Sequence, residues 1–237
     1  MSTSAPALEV DRLTSGYGEA MVIHDVSVTV PAGQIVAILG KNGMGKSTLL
    51  KTVMGFLPAS KGHVRVGGED VTNLTPYRIA RRAIAYSPQD QAIFQDLTVD
   101  ENLRLGLGMQ TDYARGLERV SGFFPFLAQR RRQRAGTLSG GEQKMLLVAR
   151  ALLSRPRLML VDEISEGLQP SVIQRLADVL RGEREALGLG ILLIEQNVRF
   201  ALKVADRFAV LKRGEIVDSG SATESGIEDR VNEHLTV

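Results

Sequence analysis

Gly40-Lys41-Asn42-Gly43-Met44-Gly45-Lys46-Ser47 is the stretch on which the reading of this chain turns. It satisfies the pattern G-x-x-x-x-G-K-[S/T] at every position. The continuous apolar run Ile35-Val36-Ala37-Ile38-Leu39 leads into it. Such a run predicts a strand buried on both faces, in the middle of an α/β sheet. An apolar-striped helix from about Lys46 to Met54 leads out, ended by Gly55 and Pro58. The glycines let successive backbone N–H groups turn into one concavity. Together with the helix N-terminus they satisfy an anion rich in acceptor oxygens, without bulky side chains. Lys46 is placed to reach the β- and γ-phosphates of a nucleoside triphosphate, and the Ser47 hydroxyl to ligate Mg²⁺. The loop therefore predicts a triphosphate site. It does not separate transport from signalling or DNA work.

A second buried strand, Leu158-Met159-Leu160-Val161, ends in Asp162-Glu163. Carboxylates at the end of a buried parallel strand face the usual ligand crevice. Asp162 is the candidate for the Mg²⁺ shell, through water. Glu163 is the candidate base that positions or polarises an attacking water. A third feature, Leu138-Ser139-Gly140-Gly141-Glu142-Gln143, opens a helix. It reads either as a further phosphate-binding helix terminus or as a plain N-cap, Ser139 capping and Glu142 completing a capping box.

Working outward, residues 8–39 read as β-rich, with Val22 to Val30 roughly alternating and a turn at Pro31-Ala32-Gly33. His63 to Gly68 reads as an edge strand and turn, Pro76 to Arg82 as a short helix, and Ile84 to Ser87 as a strand stopped by Pro88. Residues 100–135 change to helical patterns with turns at Gly106 and Gly108 and no strand candidate. The expectation is a single domain over 1–237, with a helical subdomain of about 90–155 set into an α/β core. Phe123, Phe124 and Phe126 are assigned to its core in preference to an interface. Strand–helix alternation then resumes. Met145 to Leu153 is helical, and Val172, Leu176 and Leu180 share one helical face. Ile191 to Ile194 is a buried strand, Val198 to Ala205 a helix, and Phe208 to Val217 a hairpin around Arg213-Gly214.

Composition narrows the function classes. Among 237 residues 43% are hydrophobic and 24% charged, which excludes a disordered segment. There is no cysteine, so disulfides, thiolate chemistry and Cys-based metal sites are ruled out. His24, His63 and His234 are too scattered for a short-range metal motif. The net charge of +2, from 29 basic and 27 acidic side chains, gives little support to nucleic-acid binding, and no such partner is expected. Arg130-Arg131-Arg132-Gln133-Arg134 is the concentrated basic patch. It reads as a solvated face, with a docking surface or contact with anionic lipid as the alternatives. No apolar run approaches the roughly 18–20 residues that span a bilayer. Met1 to Leu8 lacks the basic and apolar regions of a signal peptide. A cytoplasmic protein is expected, with a peripheral membrane role open through a partner's spans.

With these motifs in this order, the chain from about Leu8 onward resembles an ABC transporter ATPase subunit. It is most similar to the second ATPase of branched-chain amino-acid importers and their urea or amide relatives. The resemblance implies an α/β P-loop NTPase of the ABC ATPase fold, with a β-rich N-terminal subdomain and an inserted helical subdomain. It implies that Tyr17 stacks on adenine, where the residues alone equally support a turn between Gly16 and Gly18. It implies that Gly40, Lys41, Asn42, Gly43, Met44, Gly45, Lys46, Ser47 and Thr48 hold the phosphates. Gln89 would contact Mg²⁺ and the membrane partner. Ser139, Gly140, Gly141 and Glu142 would cover the nucleotide of a second cassette, and Ser165-Glu166-Gly167-Leu168 would join the two active sites. ATP and Mg²⁺ are the implied cofactors. The implied partners are transmembrane permease subunits, a second and different ABC ATPase, and, indirectly, an external solute-binding protein. The segment of about 90–135 would carry the permease contact, at the cytoplasmic face of the membrane.

Two positions depart from the wider family. Gln196 stands where a histidine near the γ-phosphate is usual, in Glu195-Gln196-Asn197. Glutamine donates and accepts hydrogen bonds but does not titrate. This variant matches the amino-acid importer branch. Ile164 replaces a proline, with little chemical effect expected. Importer ATPase is the leading reading. The alternatives are a non-transport cassette acting as an ATP-gated switch and a regulatory module that binds ATP without hydrolysing it.

Overall fold

The computed structural model describes residues 5–89, 93–107 and 112–236. Gly108, one of the expected turn residues, and the residues before Ala5 lie outside them. Two sheets organise the chain. The first is antiparallel and contains β1 (Leu8–Tyr17), β2 (Ala20–Val30), β4 (Ala59–Val66) and the short β5 (Glu69–Asp70), in the order β2-β1-β4-β5. The second contains β3 (Ile35–Leu39), β6 (Ile84–Ser87), β7 (Leu158–Asp162), β8 (Gly190–Glu195), β9 (Arg207–Lys212) and β10 (Glu215–Ser221). Its order is β10-β9-β3-β8-β7-β6, parallel except where β10 turns back on β9.

The apolar runs are strands buried on both faces. Ile35, Ala37 and Leu39 of β3 point into one core, and Val36 and Ile38 into the other. Ile191 and Leu193 of β8 repeat the split against Leu192 and Ile194. This is the period-2 geometry of a pleated strand placed between two layers. The antiparallel sheet, α1 (Lys46–Val53) and the short α2 (Pro76–Ala80) cover one face. The other face is covered by α6 (Gly140–Leu153), α7 (Pro170–Leu187), α8 (Val198–Val204) and α9 (Ile227–Leu235). The same core continues into α3 (Val99–Arg104), α4 (Tyr113–Phe123) and α5 (Phe126–Gln129), which make up the helical region expected there. Within the described part of that region only an isolated bridge, Thr98 to Arg134, has strand pairing. Phe124 is fully buried, with Phe123 and Phe126 packed against the same core. Burying one such ring stabilises by roughly 1.5–3 kcal/mol.

Two expectations change. The strand expected at His63 to Gly68 begins earlier, at Ala59, and is not outermost, because β5 pairs with its Arg65 and Val66. The closing helix α9 was not read from the sequence. Its apolar side is only Ile227 and Val231 buried, with Leu235 packed on the core, and charges lie between them. The basic run 130–134 is partly paired. Arg131 bonds Asp100 and Arg130 bonds Glu142, while the backbone carbonyls of Arg131 and Gln133 accept N–H groups at the start of α3.

Candidate nucleotide site

The site lies where β3, β6, β7 and β8 reach their carboxyl ends together. Leu39 is opposite Glu195, Asp162 opposite Ile194, and Ser87 opposite Val161. Ligands of open α/β sheets bind outside such strand ends. The loop between β3 and α1 needs its glycines. Gly45 has φ +103°, and a Cβ there would stand 2.9 Å from the Ile23 side chain. A Cβ on Gly40 would stand 2.6 Å from the Leu211 carbonyl oxygen. The loop is anchored to the hairpin turn after β9, since the Gly214 N–H donates to the Met44 carbonyl at 3.1 Å.

Lys46, the first residue of α1, is buried. Its Nζ donates to the carbonyls of Gly40 (2.7 Å) and Lys41 (2.9 Å) and pairs with the Glu163 carboxylate at 3.0 Å. An ammonium so placed meets anionic oxygens with its charge already desolvated. A phosphate and Glu163 then compete for it. Ser47 is exposed beside it, whereas Thr48 is buried, so the hydroxyl of Ser47 is the accessible one.

Glu163 is a non-glycine residue at φ +44°. Such strain costs about 1–3 kcal/mol and persists where the surroundings over-determine it. Its N–H donates to the Ile194 carbonyl (2.9 Å), and its carboxylate accepts from Gln89 Nε2 (3.1 Å) as well as from Lys46. The same Gln89 amide donates to Glu166 at 2.8 Å, and Lys144 Nζ donates to the Gln89 carbonyl at 2.7 Å. Asp162 is buried and hydrogen-bonded by the Tyr86 hydroxyl, whose pKa is pushed up to about 12 by burial and by that carboxylate. Gln196 is exposed at the end of β8 and lines a cavity of about 400 Å³ with Glu163, Ser165, Glu166 and Asn197. Ile164 is fully buried in the larger core. These contacts bring together Lys46, Glu163 and Gln89, with Asp162 next to Glu163 in the chain and Gln196 on the same cavity wall.

Two expected groups stand apart. Tyr17 is about half exposed at the end of β1, and Lys51 of α1 lies 5.8 Å from its ring centre. Ser139 caps α6 in a full capping box with Glu142, so the plain N-cap reading is realised. Ser139 and Gly140 are also exposed, and among the described residues no hydrogen bond or ion pair joins them to the phosphate loop. Among the described residues, the helix that the signature opens connects to the site through Lys144, whose Nζ donates to the Gln89 carbonyl.

Three contributors escaped sequence reasoning: Tyr86, Lys144 and Glu195. Tyr86 and Lys144 have no local signal. Glu195 has one, a charge closing the buried run 191–194. It is buried, and its carboxylate accepts from the Ser165 N–H (3.1 Å) and hydroxyl (2.7 Å). Burial pushes its pKa from the ordinary 4.5 up to about 7, with the Ser165 bonds opposing. The folded state therefore holds a proton that the unfolded chain releases between about pH 4.5 and 7, and stability falls as pH rises through that window. Denaturant titrations should show wild type losing stability across it relative to Glu195→Gln, which does not titrate. Parallel curves would count against the shift.

Comparison with known proteins agrees with this geometry. The family model described as ABC transporter matches residues 23–166. The chain is 45% identical over 220 residues to the high-affinity branched-chain amino acid transport ATP-binding protein BraG of Pseudomonas aeruginosa, covering 91% of this chain and 94% of that one. It is 36% identical over 220 residues to a probable branched-chain amino acid transport ATP-binding protein, LivF, of Archaeoglobus fulgidus, covering 92% and 93%. It is 33% identical over 223 residues to the lipopolysaccharide export system ATP-binding protein LptB of Escherichia coli K12, covering 92% and 91%. A solved ATP-binding cassette of an ABC transporter, in its ADP conformation, superposes with TM-score 0.85 at 26% identity over 97% of this chain and 96% of that one. With the phosphate loop, acidic pair and signature all in place, the chain belongs to the ABC transporter family, as one of its ATP-hydrolysing subunits.

Proposed function

We propose that this chain powers the uptake of branched-chain amino acids or related small solutes through transmembrane permease partners. The observation that carries the substrate class is the 45% identity to the Pseudomonas relative, against 33% to the lipopolysaccharide-export one. The Glu195-Gln196-Asn197 variant supports the same branch. The chain would sit at the cytoplasmic face of the membrane, beside a second and different ABC ATPase, with an external solute-binding protein acting indirectly. The helical segment of about 90–135 would take the permease contact.

The residues fit ATP and Mg²⁺. The glycine loop and Lys46 form a cationic cradle, with Gly40, Lys41, Asn42, Gly43, Met44, Gly45, Ser47 and Thr48 around the phosphates and Tyr17 under the base. Ser47, Gln89 and Asp162 would hold the metal, which neutralises charge on the phosphates. On ATP binding, Lys46 gives up Glu163 for phosphate oxygens. The freed Glu163 accepts a proton from the attacking water, and Gln196 orients that water or the γ-phosphate by hydrogen bonding alone. Ser139 and Gly140, exposed on this chain, with the half-buried Gly141 and Glu142 beside them, would close over the nucleotide of the second cassette. Each ATP then bridges two surfaces, and its differential affinity favours the closed pair.

The test is uptake of labelled leucine, isoleucine, valine and urea by membranes carrying this chain with its permeases, beside Lys46→Ala. The variant should bind ATP about 10- to 100-fold more weakly, the worth of a hydrogen bond to a charged group. It should also abolish whichever uptake wild type supports. Leucine-class uptake supports the proposal. Robust transport of none of these solutes refutes the substrate class, and unchanged ATP affinity refutes the role of Lys46.

A further inference from the structure

We propose that Glu195 is a positioning residue for ATP hydrolysis, clamping the segment after Glu163 to the strand end that carries Gln196 through its paired hydrogen bonds with Ser165. This rests on the roles given above to Glu163 and Gln196. β7 and β8 stop pairing at Asp162 and Ile194, and the last backbone bond between them is the Glu163 N–H to the Ile194 carbonyl. Beyond that point the chain turns out of the sheet through the strained φ of Glu163. The β7–β8 ladder does not continue past it, and one side chain bridges the two strands there. Glu195, the last residue of β8, does so with both carboxylate oxygens, one for the Ser165 N–H and one for its hydroxyl.

Both partners are buried, Glu195 at 2% and Ser165 at 5% exposure. A carboxylate is costly there unless fully hydrogen-bonded, and the nearby Glu163 charge adds to the cost. On the other side, Asn197 caps α8, its side chain accepting the Phe200 N–H at 3.1 Å. Gln196 is thus held between two anchored neighbours. Glu163 is held between the end of β7 and the clamp. The clamp sets the spacing of the two groups across the cavity and aims the following Glu166-Gly167-Leu168.

Steady-state ATP hydrolysis and nucleotide affinity of the full chain test this, under conditions where wild type turns over. Glu195→Ala should lower kcat about 10²-fold, the scale of a roughly 1 Å misplacement, with ATP affinity within about threefold of wild type. Glu195→Gln should recover most of the rate, because the amide oxygen accepts the Ser165 N–H and the amide NH₂ donates to its hydroxyl oxygen. Ser165→Ala should lose about 10-fold, and the double Glu195→Ala/Ser165→Ala variant should be no slower than Glu195→Ala, the non-additivity of one unit. A wild-type rate in Glu195→Ala, additive losses, or affinity falling in step with kcat overturns the proposal. Should Glu195→Ala not fold, an unchanged rate in Ser165→Ala overturns it alone. Glu163→Gln serves as the control. If it turns over normally, the underlying site reading has failed; if it is inactive while Glu195→Ala is normal, only the clamp has failed.

Discussion

Glu163→Gln is expected to bind ATP and to lose turnover by about 10²- to 10⁴-fold, the range of a general base. The amide is nearly isosteric and still accepts the Gln89 hydrogen bond. What it lacks is the charge that draws a proton from water and that competes with phosphate for Lys46, 3.0 Å away. ATP affinity should therefore be equal or higher. With hydrolysis blocked, the ATP-bound closed pair should accumulate. Solution mass with and without Mg-ATP reads this directly. Doubling on ATP addition means that two copies are self-complementary, one chain's Ser139 side closing over the other's Lys46 side. No doubling with ATP shown to be bound means that closure requires the different ATPase or the permeases. Turnover at the wild-type rate removes Glu163 from the role of base.

Breaking the Arg119–Glu183 pair should cost about 3–5 kcal/mol of folding stability, the scale of an uncompensated buried charge. Glu183 of α7 is 2% exposed, and burial raises its pKa against the pull of Arg119. Arg119 of α4 bonds that carboxylate with one nitrogen and the Leu152 carbonyl of α6 with another. One guanidinium thus joins three helices, α4, α6 and α7. Arg119→Ala leaves the buried carboxylate with the weaker pull of Arg155, and Glu183→Ala leaves the guanidinium with the Leu152 carbonyl. Arg119→Met with Glu183→Leu removes both charges and should be close to neutral, because burying an ion pair yields little net energy against well-packed apolar groups. Denaturant midpoints of the three variants decide the matter. A double variant as unstable as the singles would show that the pair contributes more than mutual neutralisation.

Much of the architecture was legible because its signals are local. The runs 35–39, 158–161 and 191–194 are apolar without alternation, which occurs where a strand has a layer on each side. Ser139 three residues before Glu142 is a capping box at whatever place in a fold it occurs. The start of β4 was missed because Ala59-Ser60-Lys61-Gly62 carries no apolar alternation; pairing of Ala59 and Lys61 with β1 makes it a strand. Helix α9 was missed because its buried residues are few and spaced among charges. Its place comes from the groove beside β9 and α8 that it covers.

From the sequence alone follow a triphosphate-binding loop, an acidic strand end and a helix-opening signature, since each is a short pattern whose chemistry depends on adjacent residues. Only the tertiary structure decided which of them meet. Lys46 follows β3 and Glu163 follows β7, and they pair because β8 alone separates those strands in the sheet. The same strand order sets Glu195 against Ser165, while helix packing sets Lys144 against Gln89 and Arg119 against Glu183. It also leaves Ser139 exposed, hydrogen-bonded within its own capping box. Charges far apart along the chain interact through distance and burial, and both come from the order in which strands and helices pack.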